Sequence, residues 1–286
     1  MAVSVVTDSV SSIPAEEARQ LDIAVVSLYV NDGETNQAEV DMDVADFYRR
    51  LPVMKALPTS SQPSVDSLLS AFSAAIERGS DVVGVFISRK MSGTFETARL
   101  VADMVRSEHP EARIEIVDSE SNSMQEGFAV LAAAKAARAG ETLERCAQAA
   151  KDTITRTRYL FTPASLEPLR RGGRIGNASA LIGGLLQIRP ILTVQHGETT
   201  TFAKVRTPGR ALAEIARTFA EDVAAYGLVH VVVHYIGDPE PAEKFAAEYI
   251  EPIAGRRVQI LPVSPVIGVH VGQAVAIAYQ TEREIL

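Results

Sequence analysis

An apolar run followed directly by a polar turn occurs three times in the first half of the chain. The runs are residues 3–6, 82–87 and 114–117. Helical patterns separate them, and strands that alternate with helices predict a parallel sheet with helices packed on it. In such sheets the turns at the carboxyl ends of the strands carry the ligand site. The residues expected along that edge are Asp8, Ser9, Ser88, Ser92, Gly93, Thr94, Asp118 and Ser119.

The pattern changes near residue 158. Two strands flank the connection 196–198, which predicts a hairpin because it contains glycine. Thr207 and Pro208 open a long helix that Gly227 closes, and the apolar stretches 258–263 and 266–272 indicate a further hairpin-like pair. We therefore predict an α/β protein of two domains. They are an N-terminal parallel α/β sheet domain over residues 1–157 and a C-terminal α+β domain over residues 158–286.

A cluster of arginines lies near the start of the predicted C-terminal domain, where Arg170, Arg171 and Arg174 flank Gly172 and Gly173. Glycines permit a tight turn that presents backbone N–H groups, and guanidinium groups bind anions. The aliphatic stretch 181–186 and a strand over 189–194 follow directly. This arrangement suits a ligand with an anionic head and an apolar body.

Composition excludes several classes of function. A net charge of −8 argues against a broad nucleic-acid surface, so a basic site must be local. The single cysteine, Cys146, cannot form an internal disulfide and does not indicate a cysteine-based zinc site. No apolar run is long enough to span a membrane, and Asp8 interrupts the start before a signal-peptide core. We expect a soluble cytoplasmic protein.

The motifs of most nucleotide-dependent enzymes and hydrolases are absent. The chain has no Gly-Lys dipeptide, no Gly-x-Gly and no Gly-x-Ser-x-Gly, so it has neither a Walker A loop nor a dinucleotide fingerprint nor a nucleophile elbow. His230 and His234 share one face of a strand, but no cysteine or carboxylate stands at ligand spacing beside them. We predict no metal and no cofactor.

Several short segments resemble the DegV family, in the same order and over essentially the whole chain. They are residues 6–9, 60–64, 87–88 with 92–94, 169–176, 190–192, 204–206 and 265–268 with His270. The resemblance implies a bacterial two-domain protein that encloses a long-chain fatty acid between its domains. Its FakB members present the acid to a separate fatty acid kinase as an acyl-phosphate precursor. A carrier of this kind is not an enzyme by itself, and its partners are the fatty acid and the kinase.

The resemblance also assigns ligand-binding residues and no catalytic ones. Ser92 matches the carboxylate-binding serine of the family, with Gly93 and Thr94 in the same motif, and Ser60 stands where the family usually has threonine. The positions that match head-group residues are Arg174, Arg206 and His270. Arg170 and Arg171 are interpreted as surface charge. The chain departs from the family pattern at Ser264, at Val269 and over residues 272–274.

Two alternatives remain open at this stage. One is a fatty-acid store or sensor that has no kinase partner. The other is an enzyme that acts alone on a small acidic or phosphorylated substrate beside Asp8, Ser92 and Asp118. The missing nucleotide and metal motifs count against the enzyme.

Overall fold

The computed structural model describes residues 2–54, 56–181 and 188–285. The strands are β1 (Val3–Asp8), β2 (Ile23–Val26), β3 (Tyr29–Asn31), β4 (Asn36–Ala38), β5 (Thr59–Ser61), β6 (Asp81–Phe86), β7 (Ile114–Asp118), β8 (Thr157–Pro163), β9 (Arg189–Gln195), β10 (Glu198–Val205), β11 (His230–Ile236), β12 (Gln259–Pro262) and β13 (Ala274–Gln280). The helices are α1 (Ala15–Gln20), α2 (Val44–Arg50), α3 (Val65–Glu77), α4 (Thr94–Glu108), α5 (Ser123–Arg138), α6 (Leu143–Ile154), α7 (Glu167–Arg171), α8 (Pro208–Tyr226), α9 (Glu240–Phe245), α10 (Glu251–Ala254) and α11 (Pro265–Val271).

The chain divides into two compact units. The first unit is Met1–Asp41 with Ser60–Thr155, and the second unit is Met42–Thr59 with Arg156–Leu286. The division at residues 155 and 156 lies two residues from the predicted domain boundary. The passage of residues 42–59 into the second unit differs from the prediction of one continuous N-terminal domain.

A parallel sheet with strand order β2-β1-β6-β7 forms the centre of the first unit. Helices α3 and α4 cover one of its faces and bury Phe72, Phe86 and Val101, while α5 and α6 pack on the sheet from the other side. Ser64 caps helix α3, since its Oγ accepts a hydrogen bond from the Ser67 N–H at 3.1 Å. A separate three-stranded sheet has the strand order β4-β3-β5.

The second unit contains a mixed sheet with strand order β10-β9-β8-β13-β11-β12. Its neighbouring strands are antiparallel, except that β11 and β12 are parallel. His196 and Gly197 both have positive φ, 51° and 80°, which is the backbone of a two-residue hairpin turn between β9 and β10. The predicted hairpin is confirmed. A 3₁₀ helix, Gly176–Leu181, follows the arginine turn, and the rest of the predicted aliphatic stretch, from residue 182 on, lies outside the described residues.

Helices α8 and α9 cover one face of this mixed sheet and bury Leu160, Phe219 and Ile277 there. Helix α8 has the predicted limits, with Thr207 as its cap and Gly227 after its last turn. None of the helices in the described ranges combines the length and the apolar composition needed to cross a membrane.

Residues 42–59 belong to the second unit because α2 is anchored there. Phe47 and Tyr48 are buried. The Tyr48 hydroxyl lies 2.7 Å from the carbonyl oxygen of Val263 and 3.0 Å from that of Ser264. Hydrophobic periodicity identifies a buried helix face but not its packing partner, so this crossing of residues 42–59 into the second unit could not be predicted.

Residues 265–271 form the helix α11, whereas the sequence pattern indicated a strand there. Ser264 caps the helix through its side chain, Pro265 occupies the first turn, and Gly272 ends the helix with a φ of 69°. A short run of Val and Ile suits a buried helix as well as a strand. The caps decide between the two.

Candidate functional site

Ser92, Gly93 and Thr94 form the turn between β6 and α4. The Ser92 and Thr94 hydroxyl oxygens lie 2.9 Å apart, and the Thr94 N–H donates to Ser92 Oγ at 3.3 Å. Thr94 is fully buried, whereas Ser92 is partly exposed. A hydroxyl group therefore lies at the start of a 15-residue helix, where the N–H groups of the first turn favour an anion.

The residues that follow Ser60 in β5 approach this turn. Gln62 donates from Nε2 to Thr97 Oγ1 at 2.7 Å. Its Oε1 occupies the space that a Cβ at position 93 would need, so Gly93 allows the close approach. Within the first unit, the segment carrying Ser60 and the segment carrying Ser92 are thus brought together.

Arg174 lies just after the end of α7, on a turn made by two glycines. The Arg174 N–H donates to the Leu169 carbonyl at 3.0 Å, and Gly173 has a φ of 68°. This is a Schellman ending of a helix, with glycine in the left-handed position. The exposed Arg174 side chain also donates from Nη1 to the Gly172 carbonyl at 2.5 Å. The turn fixes where the Arg174 side chain begins.

His270 lies on α11, directly against this turn. A Cβ at position 172 would overlap His270 Nδ1, so the absence of a side chain at Gly172 permits the contact. Burial, and secondly the positive charge of Arg174, lower the pKa of His270 to about 4. The imidazole is therefore neutral at pH 7. The second unit thus brings Gly172, Arg174 and His270 together.

Other arginines of the region stand apart from this group. Arg170 and Arg171 both pair with Glu167, at 2.7 Å and 2.6 Å, on the exposed side of α7, as expected for surface charges. Arg206 follows β10 and is exposed. It makes no hydrogen bond or ion pair with another residue in the described ranges, His270 included.

Asp8 lies at the carboxyl end of β1, where the sequence places it, but it has no exposed surface. Its Oδ1 accepts the Val10 N–H at 3.0 Å and its Oδ2 accepts the Ile87 N–H at 2.9 Å. These bonds tie the ends of β1 and β6 together. Burial raises the pKa of Asp8 to about 7. A sealed carboxyl group bound to two backbone amides is structural, so its geometry does not support a substrate beside Asp8.

Helix α5 contributes a second buried carboxyl group, which the sequence analysis did not identify. Glu126 has no exposed surface, and its carboxyl group lies beside that of Asp8. Burial first, and then the charge of Asp8, raise the pKa of Glu126 well above its usual value. In the sequence it is an ordinary acidic residue in the first turn of a helix, so no pattern could distinguish it.

His234 lies in the core of the second unit. Its Nδ1 lies 3.1 Å from the Leu261 carbonyl oxygen, the side chain is fully buried, and burial lowers its pKa to about 4. Over residues 2–54, 56–181 and 188–285, no three His, Cys, Asp or Glu side chains are grouped so that they could hold a metal ion. His234 is a neutral core histidine.

Comparison with known sequences identifies the family of this chain. A sequence model of the DegV family, described as uncharacterised proteins, matches residues 2–282. A DegV domain-containing protein from Clostridium acetobutylicum is 40% identical to this chain. The alignment has 291 positions and covers 100% of each chain. These matches take in both units.

Solved structures share the fold. DegV from Bacillus subtilis, described as a fatty acid binding protein, has a TM-score of 0.88 and 30% identity, covering 98% of this chain and 99% of its own. A DegV family protein from Thermus thermophilus, described by its fatty acid binding, has a TM-score of 0.87 and 27% identity, covering 98% and 100%. With a parallel-sheet unit, a separate mixed-sheet unit and a family match over nearly its whole length, the chain belongs to the DegV family.

Proposed function

We propose that this protein binds a long-chain fatty acid and presents its carboxylate to a separate fatty acid kinase, which phosphorylates it to acyl-phosphate. Relatives from Bacillus subtilis and Thermus thermophilus are described as binding fatty acids, and each matches 98% of this chain. Both units therefore have counterparts in proteins with this ligand. The carrier needs no catalytic residue of its own, because the kinase supplies ATP and Mg²⁺.

The observation that carries the proposal is the hydroxyl pair of Ser92 and Thr94. The Thr94 N–H already donates to Ser92 Oγ. If the Thr94 hydroxyl donates there as well, across the 2.9 Å between the two oxygens, the proton of Ser92 is directed to another acceptor. A carboxylate at the start of α4 is a suitable acceptor. Ser60 supplies the second hydroxyl in this proposal, and Gly93 keeps the turn open to Gln62.

The positive charge of the head-group site is assigned to Arg174 in this proposal. His270 is neutral at pH 7, so it acts as a hydrogen-bonding group and Arg174 carries the positive charge beside it. The carboxylate has to stay ionised in order to attack phosphorus. Hydroxyl donors favour that state without giving up a proton. Arg174 or Arg206 then offsets the charge that develops on the transferring phosphoryl group.

The acyl chain provides most of the affinity in this proposal. About fifteen methylenes at roughly 0.8 kcal/mol each give on the order of 12 kcal/mol before ordering costs. A hydrogen bond to the carboxylate contributes roughly 1.5–3 kcal/mol. The tail thus sets the strength of binding, and the polar residues set the direction in which the acid is held.

Mass spectrometry of the denatured protein tests the ligand. We expect about one long-chain acid per chain, and a delipidated sample should be stabilised thermally by palmitate or oleate. An empty protein that no long-chain acid stabilises would contradict fatty-acid binding. Adding a fatty acid kinase and ATP to the loaded protein then separates a carrier, which yields acyl-phosphate, from a store or sensor, which does not.

Replacing Ser92 tests the head-group assignment. Ser92→Ala should weaken palmitate binding by roughly ten- to a hundredfold, which corresponds to the loss of one bond to a charged group. Ser107→Ala is the matched control, because Ser107 is exposed at the far end of α4 and its hydroxyl donates, among the described residues, only to the Asp103 carbonyl at 2.9 Å. Equal affinities in the two variants would show that Ser92 does not hold the carboxylate.

A further inference from the structure

Helix α11 is held between α2 and α7 within the second unit. On the α2 side, a Cβ at Gly268 would lie 2.5 Å from Cε1 and from the hydroxyl oxygen of Tyr48, so the phenol ring packs on the bare backbone of the helix. His270 comes two residues later, about 200° further round the helix. It therefore faces the opposite side, where it meets Gly172. Tyr48 and Gly172 contact α11 from opposite sides.

Tyr48 also fixes the start of α11 through its hydroxyl. The side chain is only 3% exposed. Its hydroxyl oxygen lies 2.7 Å from the Val263 carbonyl and 3.0 Å from the Ser264 carbonyl, the two groups that lead into the first turn of the helix. A phenol has one proton, so it donates to one of these carbonyls at a time. Without it, a buried carbonyl would lose a donor, which is costly.

We propose that Tyr48 is a positioning residue for His270: by fixing the start of α11 and packing on Gly268, it holds the His270 imidazole against the Gly172 turn and beside Arg174. The inference rests on the proposed function in so far as His270 is taken to be a head-group residue. It assigns a role to the passage of residues 42–59 into the second unit, which brings α2 against α11.

The position of the imidazole has a measurable signature, since His270 has an environment that depends on this packing. Burial against the turn and the charge of Arg174 both disfavour its protonation. If α11 shifts away from α7, water reaches the ring and Arg174 lies further from it. Both changes favour the protonated form. The protonation midpoint of His270 therefore reports where α11 lies.

The test is an NMR pH titration of the histidine rings in Tyr48→Phe, with His270 assigned from the spectrum of His270→Gln. We expect the His270 midpoint to rise by about one pH unit or more, from about 4 towards the ordinary histidine value of about 6.5. Tyr249→Phe is the matched control, because Tyr249 is an exposed tyrosine of the same unit. His234 is an internal control, and its midpoint should stay at about 4 in every variant.

Gly268→Ala is a second way to displace the helix, since its new methyl group would meet the Tyr48 ring. It should move the His270 midpoint in the same direction while leaving His234 unchanged. Unchanged midpoints of His270 in both folded variants would overturn the proposal, and so would equal shifts of His234, because they indicate general loosening of the unit. A wild-type protein without bound acyl chain would contradict the proposed function alone, and the titration would still decide the role of Tyr48.

Discussion

Two groups of ionisable residues can be compared, one in each unit. The first unit buries Asp8 with Glu126, and the second unit places His270 beside Arg174. Burial disfavours charge in both places. It raises the pKa of the two carboxyl groups and lowers that of the imidazole. The difference lies in access: the carboxyl groups have no exposed surface, whereas His270 is only partly buried and Arg174 is exposed. A perturbed pKa alone therefore does not identify a binding site.

The two regions should respond to pH with opposite signs. A carboxyl group with a raised pKa in the folded state contributes stability that is fully present below its unfolded pKa, and this is lost as the pH rises. For Asp8 the loss runs from about 3.8 to about 7. A histidine with a lowered pKa contributes stability that is present above about 6.5 and is lost as the pH falls towards about 4. Variants of each region can separate the two contributions.

The largest effect is expected for Asp8→Ala. The N–H groups of Val10 and Ile87 would both lose their buried acceptor, and each loss costs roughly 1–3 kcal/mol. We expect the free energy of unfolding in urea to fall by about 2–5 kcal/mol at pH 4, where the parent has lost little of the stability that the raised pKa of Asp8 confers. Asp152→Ala is the control, because Asp152 is exposed and, among the described residues, its carboxylate accepts a hydrogen bond from Gln148 alone. Similar losses in both variants would show that Asp8 does not hold the ends of β1 and β6 together.

A smaller effect, visible only as a function of pH, is expected for Glu126→Gln. Glutamine resembles the protonated acid and cannot ionise, so the variant does not undergo the loss of stability that Glu126 causes in the parent as the pH rises. Glu39 beside Asp8 and Asp118 beside Glu126 add repulsion in the parent at high pH. Urea unfolding at pH 5 and pH 8 should show the variant gaining about 1–3 kcal/mol on the parent between the two values. A difference that does not change with pH would mean that Glu126 is not held protonated.

Much of the fold was predictable because local rules and tertiary packing agree. The apolar runs of β1, β6 and β7 form the expected parallel sheet, and Thr207 and Gly227 limit α8 as their capping chemistry requires. The mistaken strand at residues 266–272 arose from β-branched residues, whose propensity the caps at Ser264 and Gly272 override. The α2 crossing depends on a contact between Tyr48 and Val263, which lie far apart in the sequence.

The candidate site was predictable in its residue types but not in its contacts. Ser92, Arg174 and His270 were identified through resemblance, and the glycine pair explained the turn. The sequence could not show that Gly172 faces His270, since that contact joins α7 to α11. Nor could it show that Asp8 is sealed, because the same residue type at a strand end serves both ligands and backbone amides.

The smallest effects come from the two adjacent glycines of the arginine turn, and they test what sets the environment of His270. Gly172 has a φ of −72°, which alanine adopts freely, but its new Cβ would overlap His270 Nδ1. Gly173 has a φ of 68° with no heavy atom within 4 Å of a new Cβ, so alanine there costs about 1 kcal/mol of backbone strain and leaves His270 untouched.

We therefore expect Gly172→Ala to raise the His270 midpoint by about half a pH unit or more, as the imidazole is pushed from its buried position. Gly173→Ala should lower the free energy of unfolding by about 1 kcal/mol and leave the midpoint at about 4. NMR titration and urea unfolding of both variants measure the two quantities. The reverse pattern would mean that the turn positioning Arg174, rather than the contact at Gly172, controls the imidazole. The second unit would then hold its histidine neutral mainly through a neighbouring charge, unlike the first unit, where burial dominates.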